Sequence, residues 1–437
     1  MKISELIKAT GASILYEYED RDVKISTDTR TIQNGDFYLP IKGASFDGEK
    51  FISQAFEKGA IGSFCTKETE LSNNKLLLQV ENTLTAYLQL ANHRRKQLNY
   101  KVIGITGSSG KTTTKEIVSS ILSEKYKTFK TPLNHNNEIG FCQTVFEAPD
   151  DTQILILEMG MRGLGEIELL SKYAEPDITI IANVGTAHIG RLGSRENIAK
   201  AKCEIVKHQK GNLFIAHNDE LIKQTVQFNG EKIFYSIKDV KILDKQAHYS
   251  KFIYNGTTYE LNVGGIYNIE NSLAGINCAY KLGLTTKEIQ NGLKKYKPIE
   301  KRWESINAGG FDIINDSYNA NPESMKAFVD AVCELYPNYT IILGDMGELG
   351  QNETKYHQEI GEYINSHKFL NNNATVISIG NLSEHITKNI TNCTSLHFET
   401  IEQAVKYIKS NISKENKIFL KASRSMKFEQ IINLLTL

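Results

Sequence analysis

Short apolar runs and helical stripes alternate along the chain, and the alternation is clearest between residues 101 and 182. The run 101–105 leads through a glycine-rich segment into a stretch whose apolar residues recur at helical spacing over 117–122. Further apolar runs follow at 154–157 and 178–182. Buried strands that alternate with helices are typical of parallel βαβ units. We therefore predict a parallel sheet in the middle of the chain.

Two further blocks flank this one. The first, up to about residue 97, has short strand-like pieces and a turn-rich segment at 26–48. The third begins near Lys301, where strand-like runs alternate with helices and predict a second parallel sheet. Between 212 and 265, short polar strands and the turn Asn255-Gly256 predict an antiparallel edge. The sequence thus predicts an α/β fold of three domains, with boundaries at 1–97, 98–300 and 301–437.

Composition narrows the class of protein. The 437 residues include 51 Lys plus Arg and 51 Asp plus Glu, so no global field favours nucleic acid or an anionic membrane. The six cysteines are far apart and show no metal-binding spacing, which predicts free thiols in a reducing cytoplasm. The chain has no apolar run of membrane-spanning length, and its N-terminus does not resemble a signal peptide. We expect a cytoplasmic monomer that acts on small molecules.

The segment Gly104–Thr114 has the character of a phosphate-binding loop. It follows a predicted strand and precedes a predicted helix, and its glycines let backbone N–H groups face phosphate oxygens. Lys111 would contact the β- and γ-phosphates of a nucleotide, and the Thr112 hydroxyl would bind Mg²⁺. The strict loop pattern fails at Ile105, where a first glycine is expected. The alternative is a glycine-rich turn with an incidental lysine.

Two candidate metal ligands follow neighbouring strands of the predicted sheet. Glu158 ends the run 154–157, and His188 comes shortly after the run 178–182. Because ligands collect at the carboxyl edge of a parallel sheet, Glu158 is placed to hold Mg²⁺ and His188 to help with a second metal. The alternatives are a carboxylate that faces water and a structural loop histidine.

Lys202 falls on an apolar helical stripe with Ile198, Ile205 and Val206. Burial would disfavour its charged form and lower its pKa. A neutral amine reacts with CO₂ to form a carbamate, which would act as an additional acidic metal ligand. The alternative is a lysine that extends from the edge of the stripe to solvent.

Taken together, these motifs resemble the Mur ligase family, over nearly the whole chain and in order. The first block contributes STDTR (26–30) and GDFYLPIKGASFDGEKF (35–51). The middle block contributes GITGSSGKTTTKE (104–116), NNEIGF (136–141), LEMGMRGLGEI (157–167), NVGTAHIGRLGS (183–194), KCEI (202–205) and NIENSLAG (268–275). The third contributes DSYNANPESM (316–325), LGDMGELG (343–350) and KASRSMKFE (421–429). DSYNANP is the most discriminating of them within the family.

The resemblance implies a central P-loop ATPase-like domain, a Rossmann-like C-terminal domain and an N-terminal domain that binds a uridine nucleotide. For the nucleotide ATP it implies Thr106, Gly107, Ser108, Ser109, Gly110, Lys111, Thr112, Thr113, Asn268, Asn271, Arg302 and Asp316. For the two other substrates it implies Asp28, Thr29, Arg30, Asn137, Thr186, Asn319, Asn321, Lys421 and Ser423. For two Mg²⁺ ions and for catalysis it implies Lys111, Thr112, Glu158, His188 and carbamylated Lys202.

The chain departs from the family pattern at four positions. Tyr267 stands in place of a histidine, Asn315 in place of the first aspartate of a pair, and Ala422 in place of a glycine. Cys142 stands where proline is frequent. These departures bear on local contacts, above all in the adenine pocket.

The activity implied by the resemblance is ATP-dependent amide ligation in peptidoglycan precursor synthesis. D-alanyl-D-alanine would be joined to the terminal carboxylate of UDP-N-acetylmuramoyl-tripeptide through an acyl phosphate. Two alternatives stay open at this point. One is a sister amide ligase of the MurE or folylpolyglutamate synthase type, and the other is a nucleotide-dependent switch protein without bond-forming activity.

Overall fold

The computed structural model describes residues 1–43, 46–67, 75–132, 135–299, 301–335, 338–367 and 374–437. Two features of the sequence interpretation lie partly outside these ranges. One is residue 300, the predicted end of the second domain, and the other is the segment 35–51, of which 44 and 45 are not described. The predicted domain boundaries therefore stay predictions, whereas the predicted α/β class is confirmed by the sheets described below.

The N-terminal part is a small sheet with helices against it. Its strand order is β1-β5-β4-β3-β2, and β1 is antiparallel to β5 while the other pairs are parallel. The strands are β1 (Ser13–Leu15), β2 (Ile25–Ser26), β3 (Phe37–Tyr38), β4 (Gly62–Cys65) and β5 (Leu76–Gln79). The helices are α1 (Ile3–Thr10), α2 (Ile52–Glu57) and α3 (Thr83–Leu98).

A six-stranded, fully parallel sheet forms the middle of the molecule, in the order β11-β10-β9-β6-β8-β7. Its strands are β6 (Lys101–Thr106), β7 (Thr128–Lys130), β8 (Ile154–Glu158), β9 (Ile178–Ile181), β10 (Leu213–His217) and β11 (Glu231–Tyr235). The helices between them are α4 (Lys111–Leu122), α5 (Glu138–Glu147), α6 (Glu166–Ala174), α7 (Ile189–Leu192), α8 (Arg195–Cys203) and α9 (Glu220–Thr225). Because β8 and β9 flank β6, the loops that follow these three strands meet at one edge of the sheet.

The predicted antiparallel edge between 212 and 265 is wrong for its first half. β10 and β11 extend the central sheet in parallel, since α9 between them supplies the crossover that a parallel pair requires. The second half forms a separate antiparallel sheet of β12 (Val240–Gln246), β13 (Tyr249–Tyr254) and β14 (Thr257–Leu261). The turn at Asn255-Gly256 joins β13 to β14, with φ positive at both residues, as a tight hairpin turn requires.

The C-terminal part holds the second large sheet, in the order β15-β16-β20-β17-β18-β19. It is parallel except for β15, which pairs with β16 as an antiparallel hairpin at the sheet edge. The strands are β15 (Glu304–Ala308), β16 (Phe311–Asn315), β17 (Tyr339–Gly344), β18 (Ala374–Ile379), β19 (Thr394–Phe398) and β20 (Lys417–Lys421). The helices of this half, after α10 (Ile266–Lys281) and α11 (Thr286–Lys295), are α12 (Pro322–Leu335), α13 (Glu353–Ser366), α14 (Glu384–Thr387), α15 (Ile401–Asn411) and α16 (Glu429–Thr436). None of the helices described is long and apolar enough to cross a membrane.

Helix α4, which follows the glycine-rich loop, is held by α10 and α11. Gly275 of α10 lies against Ile117 and Ile121, so that an added Cβ would be 3.0 Å from Ile121 Cδ1. Gly292 of α11 lies closer still, and its carbonyl oxygen accepts a hydrogen bond of 2.7 Å from Ser120 Oγ. The position of the loop therefore depends on two glycine contacts behind α4.

We expect Gly292→Ala to destabilise the protein. Alanine ordinarily improves a helix interior by about 1 kcal/mol. At this position, however, the added methyl group would lie 2.4 Å from Ile121 Cα, so that the backbone of α4 must move. Overpacking of this kind costs about 1–3 kcal/mol. Thermal unfolding should give a lower melting temperature. Gly163→Ala is the control, since its methyl group would meet only Glu166 Oε1 at 3.6 Å. A Gly292→Ala protein at least as stable as wild type contradicts the expectation.

Candidate active site

The glycine-rich loop runs from the end of β6 to the start of α4. Gly110 has φ of 73°, a left-handed conformation that favours glycine. An added Cβ would also lie 2.5 Å from Asn271 Oδ1, because Asn271 of α10 packs directly over the loop. Thr114 Oγ1 donates to the same Asn271 oxygen at 3.4 Å. The loop thus adopts a tight turn at the N-terminus of a helix, where anions are stabilised.

Lys111 is the first residue of α4, and its side chain folds back over the loop. Its Nζ donates to the carbonyl oxygen of Gly107 at 2.8 Å. Burial of the ammonium lowers the pKa of Lys111, Glu158 raises it, and Arg302 lowers it further. The lysine therefore lies within electrostatic reach of both the strand-end carboxylate and an arginine of the C-terminal part.

Asn183, which sequence reasoning did not single out, holds the loop from the side. Its Oδ1 accepts from the backbone N–H groups of Ser108 and Ser109 at 3.1 and 3.0 Å. Its Nδ2 donates to the carbonyl oxygen and to Oγ of Ser109, both at 3.1 Å. The nearby backbone N–H of Gly185 donates to Ser108 Oγ at 2.9 Å. The loop after β9 and the loop after β6 therefore form one hydrogen-bonded unit.

Glu158 ends β8 and is buried beside that unit. Asn136 Nδ2 donates to its Oε1 at 3.3 Å. Burial alone would raise the pKa of the Glu158 carboxyl, but Lys115, Lys111 and Arg302 together hold it below its ordinary value. The carboxylate is therefore ionised and available as a ligand at neutral pH.

The donor set around Glu158 suits a magnesium nucleotide. Among the described residues, no group of three or more His, Cys, Asp or Glu side chains is arranged so that it could hold a metal ion by itself. A cation at this edge would find the Thr112 hydroxyl and the Glu158 carboxylate, and the oxygens of a polyphosphate would complete its shell. Mg²⁺ is usually held in this way, by one or two protein oxygens plus substrate phosphates.

His188 lies on the loop after β9, in a left-handed conformation with φ of 66°. Its Nδ1 is 2.6 Å from Glu348 Oε2 of the C-terminal part. Burial lowers the pKa of His188, Glu348 raises it, and Lys111 and Lys202 lower it again, with a net shift downward. The imidazole is therefore neutral at pH 7 and able to act as a ligand.

Lys202 is 1% exposed, so its side chain does not reach solvent from the edge of the stripe. Burial and the neighbouring Lys111 depress its pKa well below the ordinary value. Within the described part of the chain, no carboxylate raises it in return. Lys111, Glu158, His188 and Lys202 are thus brought to one edge of the central sheet.

The C-terminal part contributes a second group of predicted residues. Lys421 Nζ donates to Asp316 Oδ2 at 2.7 Å and to the carbonyl oxygen of Asn319 at 3.1 Å, which fixes the 316–321 loop. Arg302 stacks on Tyr318, with its Cζ 3.9 Å from the ring centroid. Its buried Nε has no hydrogen-bond partner among the described residues. The guanidinium group of Arg302 acts electrostatically on Lys111 and Glu158, and its unpartnered Nε–H is suited to donate to an anionic ligand.

Thr186 and Asn321 already have partners within the protein. Thr186 N and Oγ1 both donate to Glu323 Oε2, at 3.0 and 2.7 Å. Asn321 Oδ1 accepts from Ser324 N at 2.9 Å at the start of α12. The structure therefore gives both residues roles in local structure, and it adds Glu323, which the sequence interpretation missed.

The two halves also approach each other at Gly190 and Gly350. Gly190 N donates to the carbonyl oxygen of Glu348 at 3.3 Å. A Cβ added to Gly190 would lie 2.7 Å from Gly350 N, so that the backbones are in direct contact. Glu323 and Glu348 meet the loop after β9, and Gly350 meets α7 next to it, which makes this segment the junction between the central and C-terminal parts.

Asp28, Thr29 and Arg30 lie apart from this edge. Arg30 Nη2 is 2.6 Å from Asp28 Oδ2, and this contact lowers the pKa of Asp28 to about 2. Thr29 Oγ1 donates to Gln54 within the same part of the chain. Asp28 lines a cavity of about 730 Å³ between the N-terminal sheet and helices α3 and α5, together with Tyr87 and Phe146.

The remaining predicted residues are placed by their hydrogen bonds. Asn268 Nδ2 donates to the carbonyl oxygen of Gly264 at 2.6 Å, and Asn137 Oδ1 accepts from Gly140 N at the start of α5. Ser423 Oγ is 2.9 Å from Ser425 Oγ. Each of these three side chains is thus held in place by a neighbour in the chain.

The four departures from the family pattern are accommodated locally. Tyr267 packs edge-on against Trp303, with ring centroids 5.7 Å apart, so an aromatic contact stands where the histidine is usual. Asn315 Oδ1 accepts from Ser317 N and Oγ. Ala422 and Cys142 are fully buried. All four residues therefore contribute to packing or to a turn.

Three models of known families match the chain in order. They are described as "Mur ligase family, catalytic domain" at residues 23–101, "Mur ligase middle domain" at 105–279, and "Mur ligase, glutamate ligase domain" at 301–424. Together they cover the three parts of the fold.

A relative from Bacillus subtilis is 36% identical and is named UDP-N-acetylmuramoyl-tripeptide--D-alanyl-D-alanine ligase; the alignment covers 98% of this chain and 96% of the relative. MurF from Acinetobacter baumannii has a similar structure, with a TM-score of 0.87 at 26% identity over 99% of this chain and 98% of that one. MurF from Thermotoga maritima, solved in complex with ADP, gives a TM-score of 0.84 at 28% identity over 94% and 97% of the two chains.

We expect Asn183→Ala to weaken ATP binding. The substitution removes the amide oxygen that accepts from Ser109 N, whereas Ser108 N keeps its hydrogen bond to the backbone carbonyl oxygen of residue 183. One donor is left unsatisfied, at a cost of about 1–3 kcal/mol. The dissociation constant for ATP, measured by titration calorimetry with Mg²⁺, should rise about tenfold or more, since about 1.4 kcal/mol corresponds to a factor of ten. Ser109→Ala loses only one side-chain contact and should have a smaller effect. An unchanged constant in Asn183→Ala would show that the loop does not need this amide.

Proposed function

The chain belongs to the Mur ligase family of ATP-dependent ligases, and we propose that it joins D-alanyl-D-alanine to the terminal carboxylate of UDP-N-acetylmuramoyl-tripeptide. The observation that supports this proposal is the cluster of Lys111, Glu158, His188 and Lys202 beside the glycine-rich loop, faced by Arg302 of the C-terminal part. The substrates in this proposal are taken from the names of the relatives, and the type of reaction is inferred from the cluster.

Amide formation from a carboxylate and an amine is uphill in water, so the carboxylate must be activated. In the proposed reaction the peptide carboxylate attacks the γ-phosphorus of ATP and ADP leaves, which gives an acyl phosphate. The amine of the dipeptide then attacks the acyl carbon, loses a proton, and expels phosphate. ATP and the peptide are anions, so the charges of Lys111 and Arg302 offset the repulsion between them and stabilise the transferring phosphoryl group.

Mg²⁺ would supply further neutralisation of phosphate charge when bound, and we propose two ions. Thr112 and Glu158 would hold one of them. His188 and Lys202 would help to hold the second, provided that Lys202 is carbamylated. The neutral Lys202 amine would add to CO₂ and release a proton. The resulting carbamate would be an anionic ligand. The depressed pKa of Lys202 favours the amine form that this addition requires.

The other predicted residues divide between the two remaining substrates. We assign Asp28, Thr29 and Arg30 to the uridine nucleotide, with Asn137 and Thr186 along the peptide. Asn319, Asn321, Lys421 and Ser423 are assigned to the dipeptide, on the C-terminal side of the ATP phosphates. We further propose that Asn268, Asn271 and Asp316 contact the nucleoside of ATP, and that the enzyme acts as a cytoplasmic monomer.

Release of phosphate from ATP should require both other substrates. A coupled phosphate assay, with one substrate left out at a time, should give turnover only when UDP-N-acetylmuramoyl-tripeptide and D-alanyl-D-alanine are both present. Turnover that is unaffected by omitting the dipeptide contradicts the proposal. Turnover with a free amino acid in its place would identify a sister amide ligase.

Lys202→Ala should abolish ligation, and added bicarbonate should not restore it, because the variant has no amine to carbamylate. Lys200→Ala is a matched control, since Lys200 is an exposed lysine on the same helix and should be dispensable. Both variants are compared in the coupled assay at saturating substrates. Activity of Lys202→Ala close to that of Lys200→Ala would exclude the carbamate.

A further inference from the structure

Lys115 is a buried charge that the proposed reaction does not use. It lies one helical turn after Lys111 on α4, and its side chain is 0% exposed. Lysine is almost never fully buried unless it is paired. Its Nζ donates to the carbonyl oxygen of Thr131 at 2.7 Å and lies 3.6 Å from Glu158 Oε2.

Lys115 and Thr131 hold Glu158 from two sides. The Thr131 hydroxyl accepts from Glu158 N at 3.0 Å, while the Thr131 carbonyl oxygen binds Lys115. Asn136 contacts Oε1 of Glu158 and Lys115 faces Oε2. Both carboxylate oxygens thus have a fixed neighbour, which sets the rotation of the carboxylate about its last bond.

One more carboxylate and one more ammonium group, those of Glu116 and Lys130, form a cluster with Lys115 and Glu158. Glu116 Oε1 is 3.4 Å from Lys115 Nζ, and its other oxygen contacts Lys130. The four groups carry no net charge, and Lys115 is the ammonium group among them that lies against Glu158. Removing one partner of a buried pair is strongly unfavourable for the charge that stays behind.

We propose that Lys115 is the positioning residue for Glu158, which it holds in the orientation that binds Mg²⁺. The inference rests on the proposed function, in which Glu158 is a Mg²⁺ ligand. The contacts of Lys115 are with Thr131, Glu116 and Glu158, so in this proposal it acts through the carboxylate. The fixed orientation matters more for the metal than the repulsion between the ammonium and the cation.

Lys115→Met tests this inference, since methionine fills the space without the charge. Loss of groups that orient a metal ligand typically reduces metal affinity 10- to 100-fold. The Mg²⁺ concentration for half-maximal turnover should rise about tenfold or more, and the KM for the dipeptide should stay within about twofold. A half-saturating Mg²⁺ concentration that is unchanged or lower would mean that Lys115 only repels the cation, and would overturn the inference.

Lys130→Met is the matched control. It removes the same charge from the same cluster, but Lys130 pairs with Glu116 and does not contact Glu158. Its Mg²⁺ requirement should stay within about twofold of wild type. An equal rise in both variants would show that the net charge of the cluster matters and that the contact with Glu158 does not, against the inference.

A metal-free measurement tests the contact independently of activity. Thermal unfolding is followed in EDTA for wild type, Lys115→Met, Glu158→Gln and the double variant. Neutral glutamine does not need a buried cation, so Lys115→Met should lower the melting temperature less in the Glu158→Gln background than in wild type. Equal losses in both backgrounds would show that the two side chains are not coupled.

The same set of variants remains informative if Lys115→Met fails to fold. The inference then expects the double variant to fold, because its buried pair is neutral, and a double variant that is equally unfolded counts against it. Substrate-dependent turnover of the wild-type enzyme tests the proposed function separately. Failure there leaves the unfolding comparison as a measure of the Lys115–Glu158 contact.

Discussion

Burial of ionisable side chains is the constraint on which the active edge of this protein depends. It lowers the pKa of Lys111 and of Lys202, and Lys111 lowers the pKa of Lys202 further, whereas Glu158 raises the pKa of Lys111. Charges at this edge act in a low local dielectric, which strengthens their field. The side chains of Lys111 and Arg302 suit a polyphosphate, which explains why they lie beside the glycine-rich loop.

The charged groups at this edge come from the C-terminal part as well as from the central sheet. Arg302 reaches the same region from the C-terminal part, while Glu323 and Glu348 of that part contact the loop after β9 at Thr186 and His188. That loop is in turn bonded to the phosphate-binding loop through Asn183 and Gly185. The nucleotide edge and the C-terminal part are therefore connected through this loop by hydrogen bonds and an ion pair. A ligase that must keep an acyl phosphate away from water benefits from this continuity.

The sequence predicted the parts of the fold that depend on local periodicity. The run of β6 and the stripe of α4 placed the glycine-rich loop, and the strand ends placed Glu158 and His188 at one edge, because parallel topology leaves them no other place. The order of β10 and β11 was not readable in the same way. The crossover helix α9 between them spans only Glu220–Thr225, so its six residues give little helical pattern.

Residues that act through tertiary contacts were also out of reach of the sequence. The burial of Lys115 depends on contacts with Glu158 at the end of β8 and with Thr131 just after β7, which are distant in the chain. Asn183 and Glu323 have partners 74 and 137 residues away in the chain, and no spacing rule encodes those separations. The backbone contact between Gly190 and Gly350 could not be predicted from the sequence either. A side chain at Gly190 would collide with Gly350 and hold the two halves apart. Two glycines thus determine how closely the central and C-terminal parts approach each other at this contact.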